Sequence, residues 1–264
     1  MKGLKAALIS VCCAALITAV SCTKPVMPEP DAAFTTHADY DRWALDTGYP
    51  GGELNALGFE GLYMDSFETR PGSPGYASGR IVVGDSRCVQ LGIYAQRAGS
   101  GAYAVFAVWG GHYAEEEPCI PTDAFYRAVE ECFKAQIAEK GRCDLYFFAT
   151  VNDCDPSGEG NAERIGAALR CAERLAAMEC EHKGRLCSPR VTVVGVVGSA
   201  NAALNAAVDD CNALLKAGLE KSTALRGVRF VTVPEITGGQ VGFINDGLHY
   251  DDAVLRALAD YMIN

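Results

Sequence analysis

The sequence predicts an α/β fold, a three-layer α/β/α sandwich built on a five-stranded parallel sheet. Three observations carry that expectation. From residue 79 onward, short apolar runs rich in Val, Phe, Ile and Tyr recur along the chain. The stretches between them place apolar residues three and four apart, the spacing of a helix with one buried face. Most of the runs are apolar on both faces, as strands covered by helices from two sides must be.

The runs are RIVVG (80–84), AYAVFAVW (102–109), DLYFFAT (144–150), RVTVVGVV (190–197) and VRFVTV (228–233). A helix is expected after each. PTDAFYRAVEECFKAQIAEKG (121–141) opens on Pro-Thr-Asp and closes on Gly141, a start and a stop for one helix. GNAERIGAALRCAERLAAMECEHKG (160–184) and SANAALNAAVDDCNALLKAGL (199–219) keep the helical period, and DDAVLRALADYMIN (251–264) is a last helix. Strands that alternate with helices join through right-handed crossovers, and the commonest winding of five is the flavodoxin-like order 2-1-3-4-5.

The chain has 264 residues, 49% of them hydrophobic, enough for a sizeable core. A net charge of −10, with no Lys/Arg run, excludes a nucleic-acid partner on electrostatic grounds. The beginning of the chain reads differently from the rest. Lys2 and Lys5 precede an apolar run from Ala6 to Val20 that is short for a membrane span and has the layout of an export signal. AVSC, ending at Cys22, resembles the lipobox of bacterial lipoproteins, which implies cleavage after residue 21 and lipidation of Cys22. Several acyl chains at about 0.8 kcal/mol per buried methylene would hold the protein at a membrane of the cell envelope. The expected organisation is a signal peptide (1–21), a Pro-rich tether (22–45), an extension packing on the core (46–78) and the α/β domain (79–264).

Of the 12 cysteines, nine remain once Cys12, Cys13 and Cys22 are set aside. An odd number in an exported protein leaves at least one thiol unpaired, and small core hydrophobes are the alternative use. Cys180 and Cys187 are close enough in sequence to pair locally. With His182 they fit no strong zinc spacing, and no metal site is expected. Asp153 and Asp155 in NDCD lack the remaining ligand pattern of a calcium loop.

In an open parallel sheet of this kind, ligands bind beyond the carboxyl ends of the strands. The segments found there are GDSR (84–87) after the first strand, WGGHY (109–113) after the second and VNDCD (151–155) after the third. After the last comes a loop leading to NDGLHYDD. One edge thus receives Ser86, Gly110, Gly111, Asn152, Asp246 and His249. Acyl transfer needs these residue types. Serine becomes a nucleophile when a base takes its proton, and histidine has a suitable pKa for that work. A carboxylate three residues before the imidazole, Asp246, can hold it in one tautomer. The backbone N–H groups of Ser86 and of a loop glycine, with the Asn152 amide, can receive an oxyanion.

These residues resemble the four blocks of the SGNH or GDSL hydrolases over roughly residues 79–264. IVVGDSR matches the first block, and DGLHYDD supplies the Asp-x-x-His of the last as Asp246 and His249. The resemblance implies the SGNH hydrolase fold and a serine acyl-enzyme that needs no metal or organic cofactor. It implies Ser86 as nucleophile, His249 as base, Asp246 as its orienting partner, and a Gly and Asn152 in the oxyanion hole. Two blocks depart from the family's pattern. Alignment on Tyr113 favours Gly110 over Gly111 for the second block. Thr150 stands where the third block has glycine, so a narrower oxyanion pocket is expected.

Plainer roles compete for several of these residues. Ser86 also suits a helix N-cap, Asp85 a second cap or structural carboxylate, Asn152 a loop-backbone partner, and Arg87 a solvated first turn. His112 ranks below His249 as a base because no carboxylate precedes it at comparable spacing. The function expected from the sequence is a lipid-anchored serine esterase acting on O-acyl, chiefly O-acetyl, esters of polysaccharide. A non-catalytic glycan-binding lipoprotein and an O-acetyltransferase are the alternatives.

Overall fold

The computed structural model describes residues 66–97, 101–200, 202–239, 241–243 and 248–264. The expectations for the export signal, Cys22, the tether, the first part of the extension and Asp246 fall outside the described residues. In chain order the elements are β1 (Ser66–Glu68), β2 (Arg80–Gly84), α1 (Ser86–Arg97), β3 (Ala104–Val108), α2 (Asp123–Lys140) and β4 (Asp144–Phe148). Then follow a 3-10 turn (Val151–Asp153), α3 (Asn161–Ala176), β5 (Cys180–His182), β6 (Arg185–Cys187) and β7 (Arg190–Val194). The chain closes with α4 (Ala202–Lys221), β8 (Arg229–Val231), α5 (Val233–Thr237) and α6 (Asp252–Ile263).

The main sheet runs β1-β3-β2-β4-β7-β8. Its five parallel strands stand in the order 2-1-3-4-5 that the apolar runs predict. The expected five-stranded sheet gains a sixth member, β1, which lies antiparallel on the β3 edge with Ser66 opposite Val108 and Glu68 opposite Phe106. Three residues in a Gly/Pro-rich stretch are too few to display a period, so no sequence pattern announces this strand. It occupies an edge that would otherwise expose a row of unpaired backbone groups. Thr69 extends the pairing: its N–H donates to the Val105 carbonyl at 2.9 Å and its hydroxyl accepts from the Val105 N–H at 2.8 Å. Gln136 on α2 ties the following loop down by donating to the carbonyls of Gly75 and Arg80 and accepting from the Gly79 N–H.

Alternate strand residues feed two cores. Ile81, Val83, Phe106, Leu145, Phe147 and Val193 face α2 and α3, packing with Val129, Phe133, Ile137 and Leu175. Val82, Val105, Phe148 and Val194 face the other side with Val89 of α1 and Val254, Leu255 and Leu258 of α6. This period of two, apolar in both phases, is why the runs read as continuous rather than alternating. Helix α2 starts and stops where its sequence says. The Thr122 side chain accepts from the Phe125 N–H, and Gly141 takes a left-handed φ of 69°.

The helical reading of 160–184 is too long. Helix α3 ends at Ala176, and β5 and β6 form a hairpin around Lys183 and Gly184, with φ of 52° and 75°. Consecutive left-handed residues suit a two-residue turn between twisted strands. The hairpin sets Cys180 opposite Cys187, and both are free thiols. All nine described cysteines are thiols, and six are buried, filling the core as small apolar side chains.

Candidate active site

Strand β2 ends at Gly84, Asp85 turns the chain, and α1 begins at Ser86. Gly84 admits the close approach of this helix, since a Cβ there would meet Cys88 Sγ at 2.5 Å. The capping role open to Ser86 belongs to Asp85. The Asp85 backbone carbonyl accepts from the N–H groups of Cys88 and Val89, and its Oδ1 accepts from the Arg87 N–H at 3.1 Å. Its Oδ2 accepts from the Thr150 hydroxyl at 2.7 Å. Asp85 is therefore a structural carboxylate, and the Ser86 hydroxyl serves elsewhere.

That hydroxyl lies 2.8 Å from His249 Nε2 across 163 positions of sequence. Both residues are 5% exposed. The first turn of α1 brings them together. Arg87 Nε donates to the Leu248 carbonyl at 3.1 Å, one residue before His249. Gln90 takes the residue after it, accepting from the Tyr250 N–H at 3.0 Å and donating to the Tyr250 carbonyl at 3.3 Å. The backbone on either side of the imidazole is thus fastened to the helix that carries the serine. Trp109, just past β3, stacks on the imidazole with ring centroids 4.8 Å apart.

Arg87 corrects an expectation. It is 4% exposed rather than solvated. Besides Leu248 it donates to the carbonyls of Val197 and Gly198, each at 2.6 Å, and its guanidinium sits 5.1 Å from the centre of the Tyr250 ring. A planar fork satisfied by three carbonyls and flanked by a ring is a use lysine cannot fill. Adjacency to Ser86 was the one signal available, and it does not distinguish a surface arginine from a buried one.

The second and third blocks meet at the same edge. Gly110 takes φ of 65°, a backbone that glycine adopts without strain. Its N–H makes no hydrogen bond with another described residue, whereas the Gly111 N–H donates to the Val108 carbonyl at 3.1 Å. Of the two glycines, Gly110 is the one with a donor to offer. Gly111 is required for space, since a Cβ there would meet Ile120 Cγ1 at 2.6 Å. Asn152 Nδ2 donates one hydrogen to the Gly111 carbonyl at 3.1 Å, which orients the amide and leaves its second hydrogen. Both the loop-backbone and the donor readings of Asn152 are compatible with that contact.

Thr150, the residue that departs from the third block, uses its hydroxyl in two contacts. Its hydroxyl caps the 3-10 turn by accepting from the Asn152 N–H at 3.0 Å while donating to Asp85. The side chain is 1% exposed, spent on a strut between the serine block and the asparagine block.

Asp153, weighed in the sequence only as a calcium ligand, has a structural role that the sequence did not reveal. It is fully buried, and it accepts from the N–H groups of Tyr113 at 3.0 Å and Ala114 at 3.4 Å. His112 Nδ1 lies 3.5 Å from its Oδ1. Burial pushes the Asp153 carboxyl above the usual carboxylate range, against the lowering pull of the two amides and of His112. A carboxylate for His112 does exist; it comes 41 positions later in sequence, across the sheet edge, where spacing rules do not look. Asp153 anchors the 110–114 loop to the turn bearing Asn152. Among the described residues, no group of His, Cys, Asp or Glu is arranged to hold a metal ion.

The structure thus brings Ser86, His249, Gly110, Gly111 and Asn152 to one edge of one sheet, a layout able to generate a serine alkoxide and receive an oxyanion. No family model matches the chain, and no curated protein does. Among solved structures it is similar to an aryl esterase from M. smegmatis, at 14% identity over 70% of this chain and 96% of that one, with a TM-score of 0.46. It is also similar to a carbohydrate acetylesterase from Sinorhizobium meliloti, at 14% identity over 69% and 97%, with a TM-score of 0.44. Likeness at this level leaves the chemistry to be read from this chain's own side chains.

Proposed function

We propose that this chain is a serine ester hydrolase of the SGNH type. The observation that carries the reading is the 2.8 Å approach of Ser86 Oγ to His249 Nε2 inside a fastened, buried site. In the first half of the reaction Ser86 Oγ attacks the ester carbonyl as its proton passes to His249 Nε2. The carbonyl oxygen, now an oxyanion, takes hydrogen bonds from the N–H groups of Ser86 and Gly110 and from the Asn152 amide. Collapse of the tetrahedral adduct expels the alcohol, which leaves with the proton that His249 returns. Water then repeats the sequence on the acyl-serine and frees the acid. Asp246, three residues before His249 in sequence, is assigned the orientation of the imidazole.

The substrate proposed is an O-acetylated polysaccharide, and the place proposed is the cell envelope, with the chain anchored through a lipidated Cys22. An exported, tethered protein meets surface polymers. Trp109, stacked on the imidazole, offers an apolar face beside the reacting atoms that suits a sugar ring.

A fluorophosphonate probe tests the chemistry directly. The wild-type protein should be labelled at Ser86 and should hydrolyse p-nitrophenyl acetate, while Ser86→Ala should lose both with an unchanged far-ultraviolet spectrum. Equal labelling of the two proteins would remove the proposal. Acetate release from acetylated xylan, with and without an added acceptor sugar, then separates hydrolysis from acetyl transfer.

A further inference from the structure

The opposite edge of the same sheet, where the strands begin, holds a cavity of about 970 Å³. Its walls are basic in a chain whose net charge is −10. Arg80, Arg190 and Arg229 open β2, β7 and β8, and Arg142 and Arg226 lie in the loops just before β4 and β8. The lining carboxylate side chains are Asp144 and Asp260. Five guanidinium groups therefore face two side-chain carboxylates.

The ordinary explanation is that arginines here serve helix C-termini, since the helices before these strands end at this edge and cations are favourable there. It accounts for part of the set. Arg80 donates to the Ile263 carbonyl at 2.6 Å, capping the end of α6. Arg190 pairs with Asp144 at 2.6 Å, its neighbour in sheet register. Arg229 lies 5.5 Å from the centre of the Tyr261 ring. The side chains of Arg142 and Arg226 are exposed and make no hydrogen bond, ion pair or ring contact with any described residue. Uncommitted arginines beside a cavity present planar forks for an oxyanion. The wall also carries Tyr146 and Tyr261, packed edge to face with centroids 6.3 Å apart. Both rings are half-buried, and the apolar C–H face of a pyranose can rest on the part that packing leaves open while its acidic substituents reach the guanidinium groups.

We infer that this cavity is a binding site for acidic carbohydrate, a chain of sugars bearing carboxylates. Its volume matches that of ligand sites in general. The site lies at the other edge of the sheet from Ser86, so it stands or falls independently of the esterase reading.

Isothermal titration of the whole protein with trigalacturonate tests it, with trigalacturonate methyl ester (titrated into the Ser86→Ala protein so that no ester is cleaved), inorganic phosphate and phosphatidylglycerol vesicles as comparators. Trigalacturonate should bind and its neutral ester should not, and binding should weaken as salt is raised. Arg142→Glu and Arg226→Glu should each lower the affinity by about tenfold, the scale of one lost charge-assisted contact. Hydrolysis of p-nitrophenyl acetate should be unchanged in both. Should a Glu variant melt early, Arg142→Gln or Arg226→Gln takes its place, with a loss of affinity again expected. No binding of trigalacturonate, equal binding of its methyl ester, or full affinity in the variants overturns the inference. Phosphate binding as tightly as trigalacturonate overturns the sugar component. Vesicle binding without trigalacturonate binding overturns it in favour of a membrane-facing surface.

Discussion

Where the parallel strands end, β2, β3 and β4 hand over to Asp85 and Ser86, to Trp109 and Gly110, and to Thr150 and Asn152; where they begin, β2, β4, β7 and β8 carry Arg80, Asp144, Arg190 and Arg229. Most polar side chains of the first edge are buried and hydrogen-bonded within the protein: Asp85 to Thr150, Arg87 to three carbonyls, Asp153 to two amides. Those of the second are largely solvent-facing, and two of the five arginines are uncommitted. Burial explains the difference. A polar group removed from water has to be satisfied within the protein, so its geometry is fixed in advance. A group left in water keeps its freedom and suits a ligand that supplies the missing charge.

Breaking the comparison begins with its largest contrast. Ser86→Ala should reduce ester turnover by at least about 10³-fold, the scale expected when a triad nucleophile is lost, while trigalacturonate binding at the far edge stays intact. Asn152→Ala comes next, with kcat for p-nitrophenyl acetate falling about 10²- to 10³-fold, the usual effect of one oxyanion donor. An unchanged kcat in that variant would confine Asn152 to its loop-backbone role. Thr150→Val should act on stability first. It leaves the buried Asp85 Oδ2 without its donor at an expected cost of about 1–3 kcal/mol, read as a lowered urea midpoint.

The smallest effect sharpens the electrostatic side. The Asp153 carboxyl is raised in the folded protein, so its contribution to stability is full below the ordinary carboxylate pKa and is lost as pH rises through the raised value. Asp153→Asn lacks this titration. The stability of the wild type relative to the variant should therefore decline with pH over that window, as followed by urea midpoints. A constant difference across the window would show that burial does not perturb this group.

Legibility in the sequence followed range. The five parallel strands and the start and stop of α2 were readable because apolar period and cap residues act over a few positions. The hairpin at 180–187 was hidden by the helical pattern running into it, and β1 by its length of three residues. At the site, GDSR and DGLH could be recognised as blocks, and Ser86 and His249 lie within bonding reach. The burial of Arg87, the strut made by Thr150 and the His112–Asp153 pair could not be read, because each depends on a neighbour brought close only by the sheet.

By itself the sequence determined which stretches become strands and helices, the order in which they wind, and which residue types reach the edge where the strands end. Those choices rest on local periods and on the handedness of the crossovers. Tertiary structure alone decided which of two glycines keeps a free N–H, that Asp85 and not Ser86 caps the helix, and that five arginines gather around one cavity. Such outcomes depend on distances between segments far apart in the chain, and those distances exist only once the layers have packed.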